Sequence, residues 1–216
     1  EGGGRRDAGR SLADALEDYR DRHDVIVLAL PRGGVPVGEE VAAHLGVPLD
    51  VLIVRKLGVP GHEELAFGAI ASGGVRVLNR DVVFSLGDRA EQIIEEVTAR
   101  ELDELHRRES LYRGHNAPLD VRGKTVILVD DGLATGATMR AAVKALRKMD
   151  AGQIVVAVPV GPPETCAVLE EEADQLVCPL QPSAFMSVGQ FYEVFGQTSD
   201  REVREILSHF GHGVTR

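Results

Sequence analysis

Two adjacent carboxylates at the end of an apolar run, followed by a loop of small and hydroxyl residues, form the part of this chain best suited to chemistry. The stretch is Val126-Ile127-Leu128-Val129-Asp130-Asp131-Gly132-Leu133-Ala134-Thr135-Gly136-Ala137-Thr138. The apolar residues read as a buried strand, and the small residues after it open a helix. First-turn amides of a helix have no intrahelical partner and sit at its positive dipole end, so they suit a phosphate. Gly136 lets the backbone approach such a group closely, and the hydroxyls of Thr135 and Thr138 can add hydrogen bonds. Asp130 and Asp131 would repel a phosphate but would accept hydrogen bonds from a neighbouring diol. Phosphate on the amides and diol on the acids together describe a ribose 5-phosphate. The competing interpretation is structural: Thr135 caps the helix, and the aspartates are solvated turn residues. A P-loop is excluded, since the Gly-Lys-Ser/Thr ending is missing.

A second turn, Pro31-Arg32-Gly33-Gly34, follows another apolar run. Its glycine amides beside a guanidinium suit a second anion, with Arg32 able to bind in bidentate fashion, although a tight turn also explains the glycines. Arg55-Lys56 ends a third apolar run and is expected at the same sheet edge as the two loops. The segment Leu57 to Leu65 that follows is rich in Gly and Pro and polar at its tip, which reads as a loop.

These positions need a scaffold. Short β-branched runs at Val25–Leu30, Leu49–Val54, Thr125–Val129, Ile154–Val160 and Gln175–Cys178 alternate with helices beginning near Val35, Ala137 and Pro162. That alternation predicts an α/β fold with a largely parallel open sheet flanked by helices. Two segments interrupt it: a hairpin across Phe67–Asn79 around Ser72-Gly73-Gly74, and a long charged helix over Asp88–Tyr112. A loop-like tail from Pro179 precedes a short helix at Asp200–Phe210.

Composition sets the outer limits. The chain has 216 residues, 44% hydrophobic, which is enough for one α/β unit with a full core. A net charge of -10 argues against broad nucleic-acid binding. No apolar run reaches the ~20 residues that span a bilayer. The two cysteines, Cys166 and Cys178, lack metal or redox spacing and read as buried thiols of a cytoplasmic protein. The start Glu1-Gly2-Gly3-Gly4 reads as a trimmed end and says nothing about export.

The stretch VILVDDGLATGAT resembles the phosphoribosyl pyrophosphate signature of the type I phosphoribosyltransferases in its strand, acid pair and Thr-Gly-x-Thr ending. The resemblance implies that Asp130 and Asp131 hold the ribose hydroxyls and that Ala134, Thr135, Gly136, Ala137 and Thr138 hold the 5-phosphate. It also implies that Arg32, Gly33, Gly34 and Lys56 bind pyrophosphate, with Arg55 counted beside the acid pair as catalytic. Mg²⁺ would enter with the substrate rather than on protein ligands. Ala134 departs from the hypoxanthine-guanine branch, where an Asp stands, and the Arg-Lys…Pro-Gly segment looks closer to the adenine branch. The inserted hairpin and helix at about 67–112 do not match a compact adenine enzyme. The segments RRDAGRSLADAL, ALPRGGVPVG, VRKLGVPGHEELAFGAI and FMSVGQFYEVF together resemble a bacterial group of predicted phosphoribosyltransferases, some fused to an α/β-hydrolase.

Residues 1–216 are accordingly expected to form one phosphoribosyltransferase-like unit, with a hood at about 179–196 that carries the acceptor pocket. Phe185 and Val188 are its candidates, since aromatic faces stack on flat bases. The expected partners are phosphoribosyl pyrophosphate and an unidentified nitrogenous acceptor, with no nucleic acid and no membrane, in a chain that can form a homodimer. A sensor that binds this ligand without turnover is the alternative, and a hydrolase acting without a base is a weaker third.

Overall fold

The computed structural model describes residues 4–114, 117–183 and 197–211. Five strands form one parallel sheet in the order β2-β1-β6-β7-β8: β1 (Val25–Ala29), β2 (Leu49–Val51), β6 (Thr125–Val129), β7 (Gln153–Ala157) and β8 (Gln175–Val177). Every residue of β1 and β6 is buried, as expected of a sheet covered on both faces. Side-chain alternation sorts these strands between two cores. Val25, Val27, Ala29, Ile127 and Val129 pack towards α2 (Gly34–Leu45), while Ile26, Leu28, Val126 and Leu128 pack towards α5 (Ala137–Lys148) and α6 (Pro163–Glu172).

The chain runs from β1 outward to β2, and from β6 outward in the opposite direction to β7 and β8. The strand order therefore reverses between β1 and β6. In open α/β sheets the crevice beyond the strand ends at such a point is where ligands bind. The two strands pair without offset, from Val25 opposite Thr125 to Ala29 opposite Val129. The loops after them consequently start at the same level, side by side.

A second, antiparallel sheet holds β3 (Val54–Val59), β4 (His62–Ala71) and β5 (Val75–Leu78). The expected hairpin across Phe67–Asn79 is present as β4–β5, with a third strand added. Two expectations are corrected here. The second parallel strand ends at Val51, so Arg55-Lys56 belongs to β3 of the other sheet. Leu52 and Ile53 are fully buried between the sheets, which is why the apolar run gave no sign of a break. Residues 57–65 are mostly strand rather than loop: β3 and β4 close through a turn at Pro60-Gly61, where Gly61 has φ +80°, and the register shifts after Leu57 and again after Gly58.

The long helix α4 (Ala90–Arg113) packs on β3, and α7 (Asp200–His209) packs on α4 and α2. A buried ion pair, Arg113 Nε to Asp50 Oδ1 at 2.9 Å, ties the end of α4 to β2, and Arg113 Nη2 also donates to Ala117 O. Two helices were not anticipated: α1 (Arg5–Asp14) and α3 (Arg80–Ser85). Gly9 in α1 resembles a helix breaker in sequence. In the fold it marks a close helix crossing, since a Cβ there would lie 2.8 Å from Glu40 Cβ and 2.9 Å from Val37 O. No described helix is long and apolar enough to cross a membrane. Of the tail, residues 184–196 lie outside the described residues.

Candidate functional site

The two loops beyond β1 and β6 touch each other, and glycines make the contact. A Cβ on Gly33 would sit 2.3 Å from Asp131 Oδ2, and one on Gly34 would sit 2.9 Å from Val129 O and 3.0 Å from Asp130 Cα. Any side chain at either position would push the acid pair away. The Leu30 N–H donates to Val129 O at 2.9 Å, continuing the ladder into the loops. The Pro31–Arg32 peptide bond is cis.

Asp130 and Asp131 occupy different surroundings. Asp130 is partly buried and accepts from the Asp131 N–H at 2.8 Å. Burial first, and then the neighbouring Asp131 charge, hold its carboxyl well above the usual carboxylate range, with Arg5 acting in the opposite sense. Asp131 is ion-paired with Arg5, whose Nε lies 2.9 Å from Oδ2; both side chains are mostly covered. Sequence reasoning missed Arg5. Its signal was the Arg5–Leu16 segment with Leu12, Ala13 and Leu16 at core spacing, obscured by Gly9.

The loop after Gly132 is pinned from below and open above. Leu133 is buried, and its N–H donates to Val160 O at 2.9 Å. Thr165 on α6 donates its hydroxyl to Ala134 O at 2.9 Å, a support that nothing in the loop sequence indicated. Gly136 takes φ +77° at the helix start, and a Cβ there would meet Thr165 Cγ2 at 2.6 Å. Only glycine meets both conditions without strain. Ala134, Thr135 and Ala137 are exposed, and Thr138 is half-buried. The Thr135 hydroxyl accepts from the Ala137 N–H at 3.3 Å, so this side chain also caps α5 locally. The small residues Ala134, Thr135 and Ala137 are therefore left open to solvent at the strand ends.

Two arginines and a lysine were expected near this loop, and the fold distributes them. Arg32 is partly exposed and lies 3.4 Å from Gln197 Oε1 and 3.9 Å from Asp200 Oδ1. Asp200 in turn accepts from the Tyr112 hydroxyl at 2.5 Å. Burial, then this hydrogen bond, pushes the Tyr112 phenol up to about 12. Arg55 and Lys56 point to opposite faces of the antiparallel sheet, as alternate strand residues must. Arg55 Nη2 is held 2.7 Å from Glu101 on α4. Lys56 instead lines a cavity of about 170 Å³ with Ala137, Arg140 and Lys144 of α5. The expectation that both point to one edge fails at this alternation, and only Lys56 shares a cavity with the start of α5. Phe185 and Val188 lie outside the described residues. Both cysteines are buried and free, as the sequence suggested.

One group among the described residues has metal-ligand spacing: Asp14, Glu17 and His44. His44 lies near the C-terminus of α2, about 15 Å from the glycine turn that opens that helix, at 1.5 Å per residue. This cluster is therefore separate from the acid pair.

The chain matches the family model described as a phosphoribosyl transferase domain over residues 4–192. It is 49% identical over 203 residues to Rv0571c of Mycobacterium tuberculosis, which carries the provisional name of a phosphoribosyl transferase. The match takes in 94% of this chain and 45% of that one, so the chain spans about half the length of this curated relative. The crystal structure of TT1426 from Thermus thermophilus superposes with a TM-score of 0.83 at 39% identity, over 97% of this chain and 98% of that one. A shorter match, 54% over 46 residues, links it to the bifunctional protein PyrR of Listeria welshimeri, covering 21% of this chain and 24% of that protein.

Proposed function

The chain belongs to the phosphoribosyl transferase family, and from that premise we propose that it binds 5-phosphoribosyl pyrophosphate with Mg²⁺ and transfers the phosphoribosyl group to a nitrogenous acceptor. The observation that carries this reading is the contact between the two strand-end loops at the reversal of strand order. There the acid pair and the phosphate-type helix start follow each other directly on β6. Asp130 and Asp131 accept the ribose hydroxyls. The turn Ala134–Thr138 takes the 5-phosphate on its amides and hydroxyls. The Arg32-Gly33-Gly34 turn, lying against Asp131, takes pyrophosphate.

Mg²⁺ fits this arrangement as an ion carried by the substrate, because the acid pair puts negative charge beside two anion-binding turns. When bound, the ion offsets the charge that develops on departing pyrophosphate. The chain's own residues fix the ribose between the loops and keep its C1 presented to the acceptor side. Arg5 holds Asp131 through Oδ2, and the carboxylate keeps further acceptor sites for the diol.

The test is calorimetry with Mg²⁺ and phosphoribosyl pyrophosphate on the wild type and on Asp130→Asn/Asp131→Asn. The double variant should lose binding while keeping its circular dichroism. Unchanged affinity would overturn the assignment. Pyrophosphate release with a panel of bases then separates a transferase from a protein that binds the ligand without turnover.

A further inference from the structure

A second concave surface lies away from the strand-end loops. It is a groove of about 700 Å³ between the β5–α3 corner and the outer side of α5, lined by Arg76, Arg80, Lys144, Arg147 and Lys148 with Val77, Leu78 and Val83. Five cations converge here on a chain whose net charge is -10. Surface cations on an acidic protein ordinarily alternate with acids, so their convergence in one concavity is informative.

Their partners leave positive charge in excess. Arg76 Nη1 lies 3.4 Å from Glu95 Oε1 and 3.2 Å from Thr98 Oγ1. Arg147 pairs with Asp174 at 2.9 Å. Lys148 donates to a backbone carbonyl, Arg76 O, at 2.6 Å, which satisfies a donor without neutralising its charge. Arg80 and Lys144 have no hydrogen-bond or ion-pair partner among the described residues.

Phe84 adds a different kind of group. It stands one helical turn from Arg80 on α3 and is 88% exposed. Among the described residues none covers this large apolar side chain, while Val82, Val83 and Leu86 of the same segment pack against the core. An exposed aromatic ring on the helix that supplies Arg80 and Val83 to the cation-lined groove matches a flat heterocycle joined to phosphates. The volume lies in the range of small-ligand sites. A long polyanion would extend beyond the groove over a chain whose net charge is -10.

We propose that this groove binds a free nucleoside polyphosphate, with its phosphates among Arg76, Arg80, Lys144, Arg147 and Lys148 and its base against Phe84. Lys144 also lines the 170 Å³ cavity that reaches Ala137 at the other end of α5. The groove and the strand-end loop therefore share one helix, and occupancy of either changes the surroundings of the same element.

The experiment is a fluorescence-anisotropy titration with an N-methylanthraniloyl-labelled guanosine triphosphate, repeated on Arg80→Ala/Lys144→Ala and on Phe84→Ala. All three replaced residues are exposed, so the fold should survive, and circular dichroism checks it. The wild type should show one saturable site that inorganic triphosphate displaces. The double variant should bind at least tenfold more weakly, and Phe84→Ala at least fivefold. Equal affinity in these variants overturns the proposal. So does loss of binding in Asp130→Asn/Asp131→Asn alone, which would place the nucleotide in the strand-end site. Affinity that rises with the length of a single-stranded RNA competitor overturns it in favour of a nucleic-acid surface.

Discussion

Asp130 is held at a cost in stability that the proposed role in ribose binding would account for. Its carboxyl titrates well above the usual carboxylate range because of burial and the charge of Asp131. A carboxyl whose folded value is raised contributes stability that is fully present below its ordinary value, near 4, and lost as pH rises through the raised value. Asp130→Asn removes that loss and can still accept from the Asp131 N–H. The variant should therefore melt above the wild type at pH 7–8, by about 2–4 °C for each kcal/mol relieved. The difference should shrink on acidification towards pH 4. A variant that melts lower across this range, measured by calorimetry, would refute the argument. Such a trade of stability for function is common at binding sites. At this scale the sequence made the placement of Asp130, Asp131 and the 134–138 turn between β6 and α5 legible, because local spacing alone defines it. It was silent on Arg5 and Thr165, which reach the loop from elements far away in the chain.

Among the elements, α4 is tied to β2 by a buried ion pair at its C-terminal end. Asp50 and Arg113 form a bidentate pair, and their side chains are only 4% and 7% exposed. Removing one partner from such a pair strands a buried charge, at about 3–5 kcal/mol. Asp50→Asn should lose about that much in urea denaturation, whereas Asp50→Asn/Arg113→Met should recover part of it. Equal losses in the two variants would mean that the pair acts through packing alone. Element boundaries were readable where a period was clean: Thr125–Val129 matches, and the long helix differs from its expected span by one or two residues at each end. They were unreadable where burial continued after a strand had left its sheet, as at Leu52 and Ile53. The segment 57–65 misled for the opposite reason. Its glycines and proline serve a twisted two-stranded ribbon with a register shift, and composition alone does not separate that from a loop.

At the scale of the whole molecule, ligand binding and folding are linked. A ligand that binds only the native state at 100 times its Kd adds about 2.7 kcal/mol. For a chain of this size that corresponds to roughly 5–10 °C in Tm. Phosphoribosyl pyrophosphate with Mg²⁺ should produce such a shift, and Asp130→Asn/Asp131→Asn should not. A thermal-shift assay decides it, and an equal shift in both would move the ligand away from the acid pair. The overall charge of -10 spoke against a broad basic face, and it concealed the local groove of five cations. A sum over the sequence carries no spatial information, and residues 76–80 meet residues 144–148 only in the fold.

The unbroken pairing of β1 with β6 has a consequence for how the molecule comes into being. Val25 and Thr125 are neighbours in the sheet but a hundred positions apart in the chain. At about 5–20 residues per second of synthesis, β1 waits roughly 5–20 s for the strand that completes its sheet. During that interval its apolar edge is open, and contacts of such long sequence separation also form slowly once available. The crevice between the two strand ends therefore cannot exist in an early intermediate. Competence to hold a ligand is acquired near the end of folding, and a bound ligand reports that the central sheet has closed.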